Sequence, residues 1–327
     1  MSHPLLSILI VSYNTRDLLA DCLRSLRRVA DEAPFETIVV DNASSDGSAD
    51  YVVEQFPEVR LIRLDRNIGF AAAMNEAIEA CQGGLFLALN PDAVVPAGTL
   101  RKLMDFMVMN PTAAVAGAVL TYADGSLQGS TFRFPSLFRE FWNFLPELKA
   151  ILRPQVTWLK VTDVHKPREP IQVDCVSGAA LMARTDAVKQ IGGFDGEFFL
   201  YHEEMDLCTR LRKAGWEVWS VRQAQVIHLD AKASGYRQNR LPHQPVLGWR
   251  IGGMDRLWWK HKSRRQHALW RTQGCALLRL RIALIGGGML FSQACRDRVH
   301  ELVKIVKMLH EPADSKRQKA AAKVRRD

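Results

Sequence analysis

Short apolar runs alternate with helically spaced apolar residues along the first ninety positions of the chain. The run at 5–11 is almost continuously apolar, as in a strand that is covered on both faces of a parallel sheet. The positions that follow form one stripe at helical spacing, made of Leu18, Leu19, Cys22, Leu23 and Leu26. The pattern therefore predicts a strand followed by an amphipathic helix.

The same alternation continues to position 92. Further strands are predicted at 36–40, 59–64 and 85–89, with helices at about 48–55 and 70–80. This order predicts an α/β fold with a mostly parallel sheet and helices on both faces. Such sheets bind ligands at the carboxyl ends of their strands. Polar residues follow four strands there: Ser12, Tyr13 and Asn14; Asp41 and Asn42; Asp65 and Asn67; and Asn90 and Asp92.

The second half of the chain is less regular. Between 132 and 170, prolines interrupt a stretch rich in Phe and Trp, which predicts an irregular insertion. Strand patterns return at 171–183, 216–221 and 224–228. The predicted divisions are a domain at 1–240, a basic and Trp-rich helical region at 241–312, and a disordered basic tail at 313–327.

The composition is that of an ordinary globular protein. Of the 327 residues, 47% are hydrophobic and 24% are charged, which argues against the disordered, collagen-like and disulfide-scaffold classes. The six cysteines include no Cys-x-x-Cys pair, so neither a zinc cluster nor a thioredoxin-like motif is predicted. The first residues lack the long apolar stretch of a secretory signal. We therefore expect a reducing, cytoplasmic location.

The net charge of +9 is concentrated at one end of the chain. Residues 250–327 contain 19 Lys and Arg against 6 Asp and Glu, a net charge of +13. Residues 1–249 contain 25 against 29, a net charge of −4. This asymmetry argues against a uniformly basic nucleic-acid-binding domain, so no nucleic-acid partner is expected.

Two aspartates at strand ends are candidates for ligand binding. Asp92 follows a buried strand in the sequence Asn-Pro-Asp, where its carboxylate could hold a hard divalent cation or could simply end the strand in a turn. Asp41 could accept a hydrogen bond from the imide N–H of uracil or thymine, or it could cap the next helix or organise the turn before it. The residues alone leave both pairs of alternatives open.

An acidic cluster and one histidine are further candidates. Glu203, Glu204 and Asp206 open a predicted helix, where acidic side chains also stabilise the helix dipole. One glutamate could act as a general base, because neighbouring negative charge and burial raise its affinity for protons. His228 ends an apolar run, and a single histidine is more often a structural hydrogen-bonding group than a metal ligand.

Five motifs occur in a fixed order along the chain. They are Val-Ser-Tyr-Asn at 11–14, Val-Asp-Asn-Ala-Ser-Ser-Asp-Gly-Ser at 40–48, Asn-Ile-Gly-Phe-Ala-x-x-x-Asn at 67–75, Leu-Asn-Pro-Asp at 89–92, and Gly-Gly-Phe-Asp-x-x-Phe-Phe continuing to the acids at 192–206. Together they resemble the family 2 inverting glycosyltransferases, which have the Rossmann-like GT-A fold, and especially their bacterial rhamnosyltransferase-type members. The resemblance covers roughly residues 5–230.

The resemblance implies an enzyme of cell-surface polysaccharide synthesis. Such an enzyme moves a sugar, here by likeness rhamnose, from a dTDP- or UDP-linked donor to a hydroxyl of a glycan or polyprenyl-diphosphate-linked acceptor. It implies a Mg²⁺ or Mn²⁺ ion bound by Asp92 with His228 as a second ligand. The nucleotide-sugar-binding residues that it implies are Ser12, Tyr13, Asn14, Asp41, Asn42, Asp65, Asn67, Gly69, Asn75, Asn90 and Gly178.

Two positions depart from the family pattern. Asn90 replaces the first acid of an Asp-x-Asp metal motif, so weaker metal binding is expected. Glu204 replaces the Asp of a Glu-Asp base motif. The resemblance implies that Glu203 or Glu204 is the catalytic base, with Asp206 in support, and Glu204 is favoured because it occupies the usual Asp position.

The C-terminal quarter interleaves aromatic and basic residues. Its tryptophans are Trp249, Trp258, Trp259 and Trp270. The apolar stretch at 275–291 contains two arginines and is too short for a membrane span. We expect interfacial helices on the inner face of the cell membrane, with Trp at headgroup depth and cations facing anionic lipid. A helical subdomain packed on the catalytic core and a nucleic-acid-binding tail are the alternatives.

Two other functional classes share parts of this pattern. A nucleotidyltransferase would also use acids and a metal, but its first strand–helix turn is normally rich in Gly and basic residues, and here it reads Ser-Tyr-Asn-Thr. A non-catalytic sugar-nucleotide-binding membrane scaffold would tolerate loss of Glu203, Glu204 and Asp92. The presence of all three acids favours an enzyme.

Overall fold

The computed structural model describes residues 6–144, 169–229, 244–286 and 293–310. The predicted tail and most of the predicted insertion therefore lie outside the described residues. By its internal contacts the chain divides into two compact units. The first unit combines Met1–Phe134 with Thr162–His243, and the second combines Pro135–Val161 with Gln244–Asp327.

A nine-stranded sheet forms the centre of the first unit. Its strands are β1 (Leu6–Ser12), β2 (Phe35–Asp41), β3 (Arg60–Arg63), β4 (Leu85–Leu89), β5 (Ala93–Val94), β6 (Ala113–Thr121), β8 (Ile171–Gln172), β10 (Ala180–Arg184) and β11 (Glu217–His228). Two further strands, β7 (Thr131–Phe132) and β9 (Cys175–Val176), form a separate antiparallel pair. The helices of this unit are α1 (Arg16–Arg28), α2 (Ser48–Gln55), α3 (Phe70–Ala80), α4 (Thr99–Met109), α6 (Thr185–Gln190) and α7 (Glu203–Lys213).

The sheet is mostly parallel, as predicted. The strand order is β3-β2-β1-β4-β10-β6-β11-β5, with β8 also paired to β11. The strands β3, β2, β1, β4, β6 and β11 share one direction, because β10 runs antiparallel to both of its neighbours. The short strands β5 and β8 run antiparallel to β11.

Helices cover both faces of β1, which is buried along its whole length. Its side chains alternate between the two faces. Leu6, Ile8 and Ile10 pack in one cluster with the predicted stripe of α1, while α3 contacts β1 and β2. A buried Leu or Ile side chain contributes roughly 1.5–3 kcal/mol to stability. The apolar run at 5–11 therefore forms the central strand that the sequence predicts.

The pairing of the later strands differs from the sequence prediction. The segment at 171–176 is not one strand, because β8 pairs with β11 whereas β9 pairs with β7. The segments predicted at 216–221 and 224–228 form the single strand β11. Its register with β6 shifts between Val221 and Gln225, an irregularity that lets one strand continue past unpaired residues.

The second unit is helical. Its helices are α5 (Leu137–Phe144), α8 (Gln244–His261), α9 (Arg264–Gly286) and α10 (Gln293–His310). Trp258 and Trp270 stack with ring centroids 5.8 Å apart in the centre of its hydrophobic cluster. Asp255, also buried, accepts hydrogen bonds from Arg271 and lies 2.8 Å from the His267 ring nitrogen Nε2. This buried charge is therefore paired.

The burial of two tryptophans corrects one expectation. Trp258 and Trp270 were expected at the depth of lipid headgroups, but both lie in the core of the helical unit. Their large apolar rings contribute more to the stability of this small unit when they are buried than when they are exposed. No helix among the described residues is long and apolar enough to span a membrane.

A glycine in β6 allows the β7–β9 pair to lie close to the sheet. A Cβ atom on Gly117 would come within 2.5 Å of the Val176 Cβ, a separation that real Cβ atoms do not adopt. We expect Gly117→Ala to destabilise the protein by about 1–3 kcal/mol, the usual cost of overpacking. The measurement is chemical denaturation monitored by circular dichroism.

The matched control is Gly129→Ala, because nothing lies within 4 Å of a Cβ at that position. Its free energy of unfolding should stay within about 0.5 kcal/mol of the wild-type value. Equal stability of the two variants would contradict the close packing of β9 against β6.

Candidate active site

The carboxyl ends of β2, β1 and β4 lie side by side at one edge of the sheet. β1 pairs in parallel with β2 on one side and β4 on the other, and Ser12 at the end of β1 is opposite Asp41 at the end of β2. Neighbouring strands are separated by about 4.8 Å. The residues that follow these three strands therefore share one edge.

The loops after β1 and β2 are fastened to each other. The Asn14 backbone N–H donates to Ser44 Oγ at 2.9 Å, and Asn14 Oδ1 accepts a hydrogen bond from the Ser45 N–H at 2.7 Å. Asn14 has a φ of 53° and Ala43 a φ of 66°, in the left-handed region that residues other than glycine seldom adopt. Strain of this kind is concentrated at functional sites.

Tyr13 presents an aromatic ring at this edge and is 47% exposed. Ser12 beside it is buried, and its hydroxyl lies 2.8 Å from the Thr15 hydroxyl. The three predicted residues after β1 therefore differ in what they can do. Tyr13 can contact a ligand, whereas Ser12 and Asn14 hold the loop.

Asp41 is 4% exposed and has one oxygen without a donor. Its Oδ2 accepts a hydrogen bond from the Ser44 N–H at 3.0 Å, while its Oδ1 is buried and has no hydrogen-bond partner. Capping of α2 falls instead to Asp46, whose Oδ1 accepts the Ser48 N–H at 3.0 Å. A buried acceptor left unpaired costs about 1–3 kcal/mol, so Asp41 Oδ1 is suited to receive an N–H from a ligand.

Asn42 and Asn67 shape the loop after β3. Asn42 Nδ2 donates to Asn67 Oδ1 at 3.0 Å, and Asn42 Oδ1 accepts the Ile68 N–H at 2.9 Å. The same Asn67 oxygen also accepts the Gly69 N–H at 3.0 Å. Asp65, in the same loop, is exposed. The two amides therefore build the loop, and Asp65 is the member that can reach a ligand.

Gly69 brings this loop against the segment that leads to the acidic helix. Its φ is +86°, and a Cβ there would lie 2.7 Å from the Phe199 carbonyl oxygen. The same oxygen accepts the Phe70 N–H at 2.7 Å. Only glycine combines this backbone conformation with so close an approach.

Asn75 fixes a second turn of that segment to α3. Its Oδ1 accepts the Phe194 N–H and its Nδ2 donates to the Phe194 carbonyl, both at 2.8 Å. A Cβ on Gly193, which has a φ of +72°, would lie 2.6 Å from Asn75 Oδ1. In the structure Asn75 therefore orders the turn, and its contact with ribose or phosphate stays a prediction.

Asp92 and His228 lie together beside the end of β4. Pairing of β5 with β11 sets Ala93 opposite His228, and the Leu229 N–H donates to the Asp92 carbonyl at 3.0 Å. As a result, Asp92 Oδ1 is 3.2 Å from His228 Nε2, and Asn90 Nδ2 is also 3.2 Å from that nitrogen. Asp92 is 2% exposed.

The Asp92–His228 pair has the donor atoms of a divalent metal site. Although Asp92 Oδ1 is close to Nε2, it makes no hydrogen bond, so a buried carboxylate oxygen faces a ring nitrogen. Both atom types bind divalent cations. Across the described residues, no group of three or more His, Cys, Asp and Glu side chains is arranged to hold a metal. Two protein ligands would leave positions for ligand oxygens.

The acidic cluster begins α7 after a strained turn. Tyr201 and His202 both lie in the left-handed region, with φ values of 72° and 73°. Glu203 is 6% exposed, and its Oε2 is buried without a hydrogen-bond partner. Glu204 is more exposed, and a Cβ on Gly178 would lie 3.8 Å from the Glu204 Cβ.

Burial and a neighbouring charge act on the pKa of Glu203. Burial raises the pKa of Glu203 well above its ordinary value, and the negative charge of Glu204 raises that pKa further. Glu203 therefore keeps its proton to a higher pH than an exposed glutamate.

Asp206, the third acid, is held by an arginine. It is fully buried, and its Oδ2 accepts a hydrogen bond from Arg210 Nε at 2.7 Å. The same guanidinium donates to the carbonyls of Ile191 at 2.9 Å and Gly193 at 2.7 Å. Asp206 and Arg210 therefore join α7 to the turn that Asn75 also holds.

One short connection links the Asp92–His228 pair to the glutamates. The Asn90 N–H donates to the Ala179 carbonyl at 3.1 Å, and the neighbouring Gly178 lies beside Glu204. The end of β4 and the start of α7 therefore meet around this segment. The structure brings Asp92, Asn90, Gly178 and Glu204 to one edge of the sheet.

Sequence reasoning missed two residues of this edge. Arg210 could have been found, because it follows Asp206 by four positions and such pairs meet on a helix. Gln128 could not have been found, because it lies in an unremarkable polar turn, yet its Oε1 is 2.8 Å from His228 Nδ1.

Comparisons with known proteins indicate the family of the chain. Residues 7–181, more than half of the chain, match glycosyl transferase family 2. An N-acetylglucosaminyl-diphospho-decaprenol L-rhamnosyltransferase of Mycobacterium tuberculosis is 31% identical over 245 residues, which cover 70% of this chain and 78% of that protein.

Two solved structures share the fold. The mannosyltransferase PcManGT of Pyrobaculum calidifontis, in complex with GDP-Man and Mn²⁺, has a TM-score of 0.56 at 16% identity and covers 94% of this chain and 86% of its own. GalNAc-T7 with UDP, GalNAc and Mn²⁺ has a TM-score of 0.54 at 15% identity and covers 79% of this chain and 49% of its own.

The expected fold is therefore confirmed, and the family match favours a glycosyltransferase over the nucleotidyltransferase alternative. The aligned region contains the first four motifs of the sequence and the sheet edge at which they meet. This chain belongs to glycosyl transferase family 2.

Proposed function

We propose that this enzyme transfers a sugar from a nucleoside-diphosphate donor to a hydroxyl of a lipid-linked glycan, with inversion at the anomeric carbon. The observation that carries the proposal is the presence of a metal-ligand pair and a glutamate pair at one sheet edge, connected through Asn90, Ala179 and Gly178. Transfer needs both a group that stabilises the leaving diphosphate and a base for the acceptor.

The name of the mycobacterial relative supports a more specific assignment. That protein is an L-rhamnosyltransferase whose acceptor is N-acetylglucosaminyl-diphospho-decaprenol. We therefore assign rhamnose as the sugar and a polyprenyl-diphosphate-linked acceptor, in the synthesis of cell-surface polysaccharide. An acceptor of this kind would be presented at a membrane surface.

The donor nucleotide is assigned to the loops after β1, β2 and β3. The unpaired Oδ1 of Asp41 is suited to accept the imide N–H of uracil or thymine, and the exposed ring of Tyr13 offers a surface for the base. Either dTDP or UDP satisfies these two contacts. Asp65, which is exposed in the loop after β3, is assigned to the ribose or the phosphates.

Asp92 and His228 would hold the divalent cation, Mg²⁺ or Mn²⁺. When it is bound, this ion neutralises negative charge that develops on the departing diphosphate. Asn90 stands where the family usually has a first acid, and its Nδ2 donates toward His228. Its role is therefore to orient the histidine, and a carboxamide there keeps the charge of the site lower than two acids would.

Glu204 would act as the general base. It is the more exposed of the two glutamates, its negative charge helps to raise the pKa of the buried Glu203, and it lies beside Gly178, which has no side chain. Glu204 takes the proton of the acceptor hydroxyl as the oxygen attacks the anomeric carbon from the face opposite the diphosphate. The transition state has oxocarbenium character, as in other glycosyl transfers.

The helical unit would bind the membrane through one face of α9. Leu269, Leu280 and Leu284 are each at least half exposed, and their spacing sets them within about 60° of one another around the helix. We call these three residues the leucine face. The sequence of α9 contains five arginines and no acidic residue. Apolar contact and attraction to anionic lipid therefore act together.

Removal of the metal ligand should separate metal-dependent binding from folding. We expect Asp92→Ala to abolish sugar transfer and to weaken Mn²⁺-dependent binding of UDP or dTDP by more than about 100-fold, since loss of a second-shell partner alone costs 10–100-fold. Titration calorimetry with and without Mn²⁺ measures this. Asp17→Ala, at an exposed position on α1, is the control and should bind normally. Normal Mn²⁺-dependent binding by Asp92→Ala would rule out the assigned site.

The two glutamates should separate kinetically. We expect Glu204→Gln to lower kcat by about 10²–10⁴-fold, the usual contribution of a general base, with unchanged donor affinity. Glu203→Gln replaces a buried carboxyl group whose pKa is raised with a neutral amide of similar shape, and it should retain far more activity. Single-turnover rates with donor and acceptor measure both effects. Full activity of Glu204→Gln would refute its role as the base.

The protonation of Glu203 also gives its glutamine variant a pH signature. Because the folded-state pKa of Glu203 is raised above the unfolded value near 4.5, the contribution of this residue to stability is greatest below that pH and falls as the pH rises toward the folded pKa. Glu203→Gln should therefore melt at a higher temperature than wild type at pH 8, and the difference should shrink toward pH 4.5. A constant difference across that range would contradict the assigned protonation.

Membrane binding should depend on the leucine face. We expect the full chain to float with liposomes that contain anionic lipid, and added salt to weaken the binding. Leu280→Asp with Leu284→Asp should lower partitioning by at least about tenfold, because each buried leucine contributes roughly 1.5–3 kcal/mol. Val53→Asp, an exposed apolar position on α2, is the control. Equal flotation of both variants would contradict this surface.

A further inference from the structure

Gln128 faces the His228 ring on the side away from Asp92. Gln128 Oε1 lies 2.8 Å from His228 Nδ1, whereas Asp92 Oδ1 and Asn90 Nδ2 approach Nε2 from the other side. The His228 side chain is mostly buried. Each ring nitrogen therefore has a defined protein neighbour.

These neighbours favour a proton on Nδ1 over one on Nε2. A carbonyl oxygen can only accept, so the contact with Gln128 Oε1 requires a hydrogen on Nδ1. A neutral imidazole has one such hydrogen, which leaves a lone pair on Nε2. Two observations agree with this tautomer: Asn90 Nδ2 is in position to donate to Nε2, and Asp92 Oδ1 receives no hydrogen bond from it.

Hydrogen bonds hold the backbone of Gln128 in place. Its N–H donates to the Leu120 carbonyl at 2.9 Å, and its own carbonyl accepts the Ser130 hydroxyl at 3.0 Å. The Ser130 oxygen in turn accepts the Leu120 N–H at 2.9 Å. These bonds fold the turn after β6 back onto the strand next to β11, which ends at His228.

We propose that Gln128 is a positioning residue for the metal ligand His228. By accepting the Nδ1 hydrogen, it keeps the Nε2 lone pair directed toward Asp92 and toward a cation between them. Outer-shell partners of this kind fix the tautomer and orientation of ligating histidines. The inference rests on the proposed metal site, and it assigns a role to the otherwise undistinguished polar turn between β6 and β7.

The test measures binding of Mn²⁺ alone to the full-length protein, by electron paramagnetic resonance of the free ion. Gln128→Leu removes the acceptor and should weaken Mn²⁺ binding by about 10–100-fold. Gln128→Glu keeps an acceptor oxygen and should restore binding to near the wild-type level. Gln55→Leu, at an exposed position on α2, is the matched control and should bind as wild type does.

The outcomes separate this inference from the proposed function. Unchanged Mn²⁺ affinity in Gln128→Leu, with wild-type binding that Asp92→Ala abolishes, would overturn the role of Gln128 and leave the metal site standing. Equal loss in Gln128→Leu and Gln128→Glu, with lowered melting temperatures, would reduce Gln128 to a structural residue of the turn. Wild-type binding that survives Asp92→Ala, or no binding by wild type, would overturn both the metal site and the inference.

Discussion

Three carboxyl groups at one edge of the sheet each keep a buried oxygen without a hydrogen-bond donor. They belong to Asp41, Asp92 and Glu203. Buried acceptors of this kind are expensive, and folded proteins satisfy most of theirs. The rest of the fold must supply the stability that offsets this cost. In exchange, the Asp41 and Asp92 oxygens stay available for the proposed nucleobase and cation, whereas burial favours the protonated form of Glu203.

The surrounding polar side chains form hydrogen bonds with one another and with the backbone, and they donate none to these three oxygens. Asn42 and Asn67 bond to each other and to the loop backbone, and Asn75 binds the backbone of Phe194. Asp206 is paired with Arg210. Amides and ion pairs with fixed partners hold loops in one conformation, so the edge is organised before a ligand arrives. Preorganisation of this kind is a large part of how enzymes stabilise transition states.

Local pattern predicts the first half of the fold well and the second half less well. The strand at β1 and the helix α3 follow from apolar runs and helical spacing, because burial on both faces or on one stripe leaves a direct mark in the sequence. The separation of β8 from β9 leaves no such mark, because each strand is only two residues long and their partners are distant in the chain. Gln128 reaches His228 across a hundred positions, and no spacing rule carries that information. The sequence around Trp258 predicts an interfacial residue, whereas the structure shows that this side chain is buried in the core of the helical unit.

The contact of Gly69 with Phe199 joins two distant segments of the chain at the sheet edge. The loop that follows β3 and the segment that leads to α7 share one carbonyl oxygen, with no room for a side chain between them. A side chain at position 69 would have to push the two segments apart, and with them the loop that contains Asn67 and the turn that precedes the acidic helix. Hydrogen at this single Cα is therefore a condition for the two halves of the edge to meet.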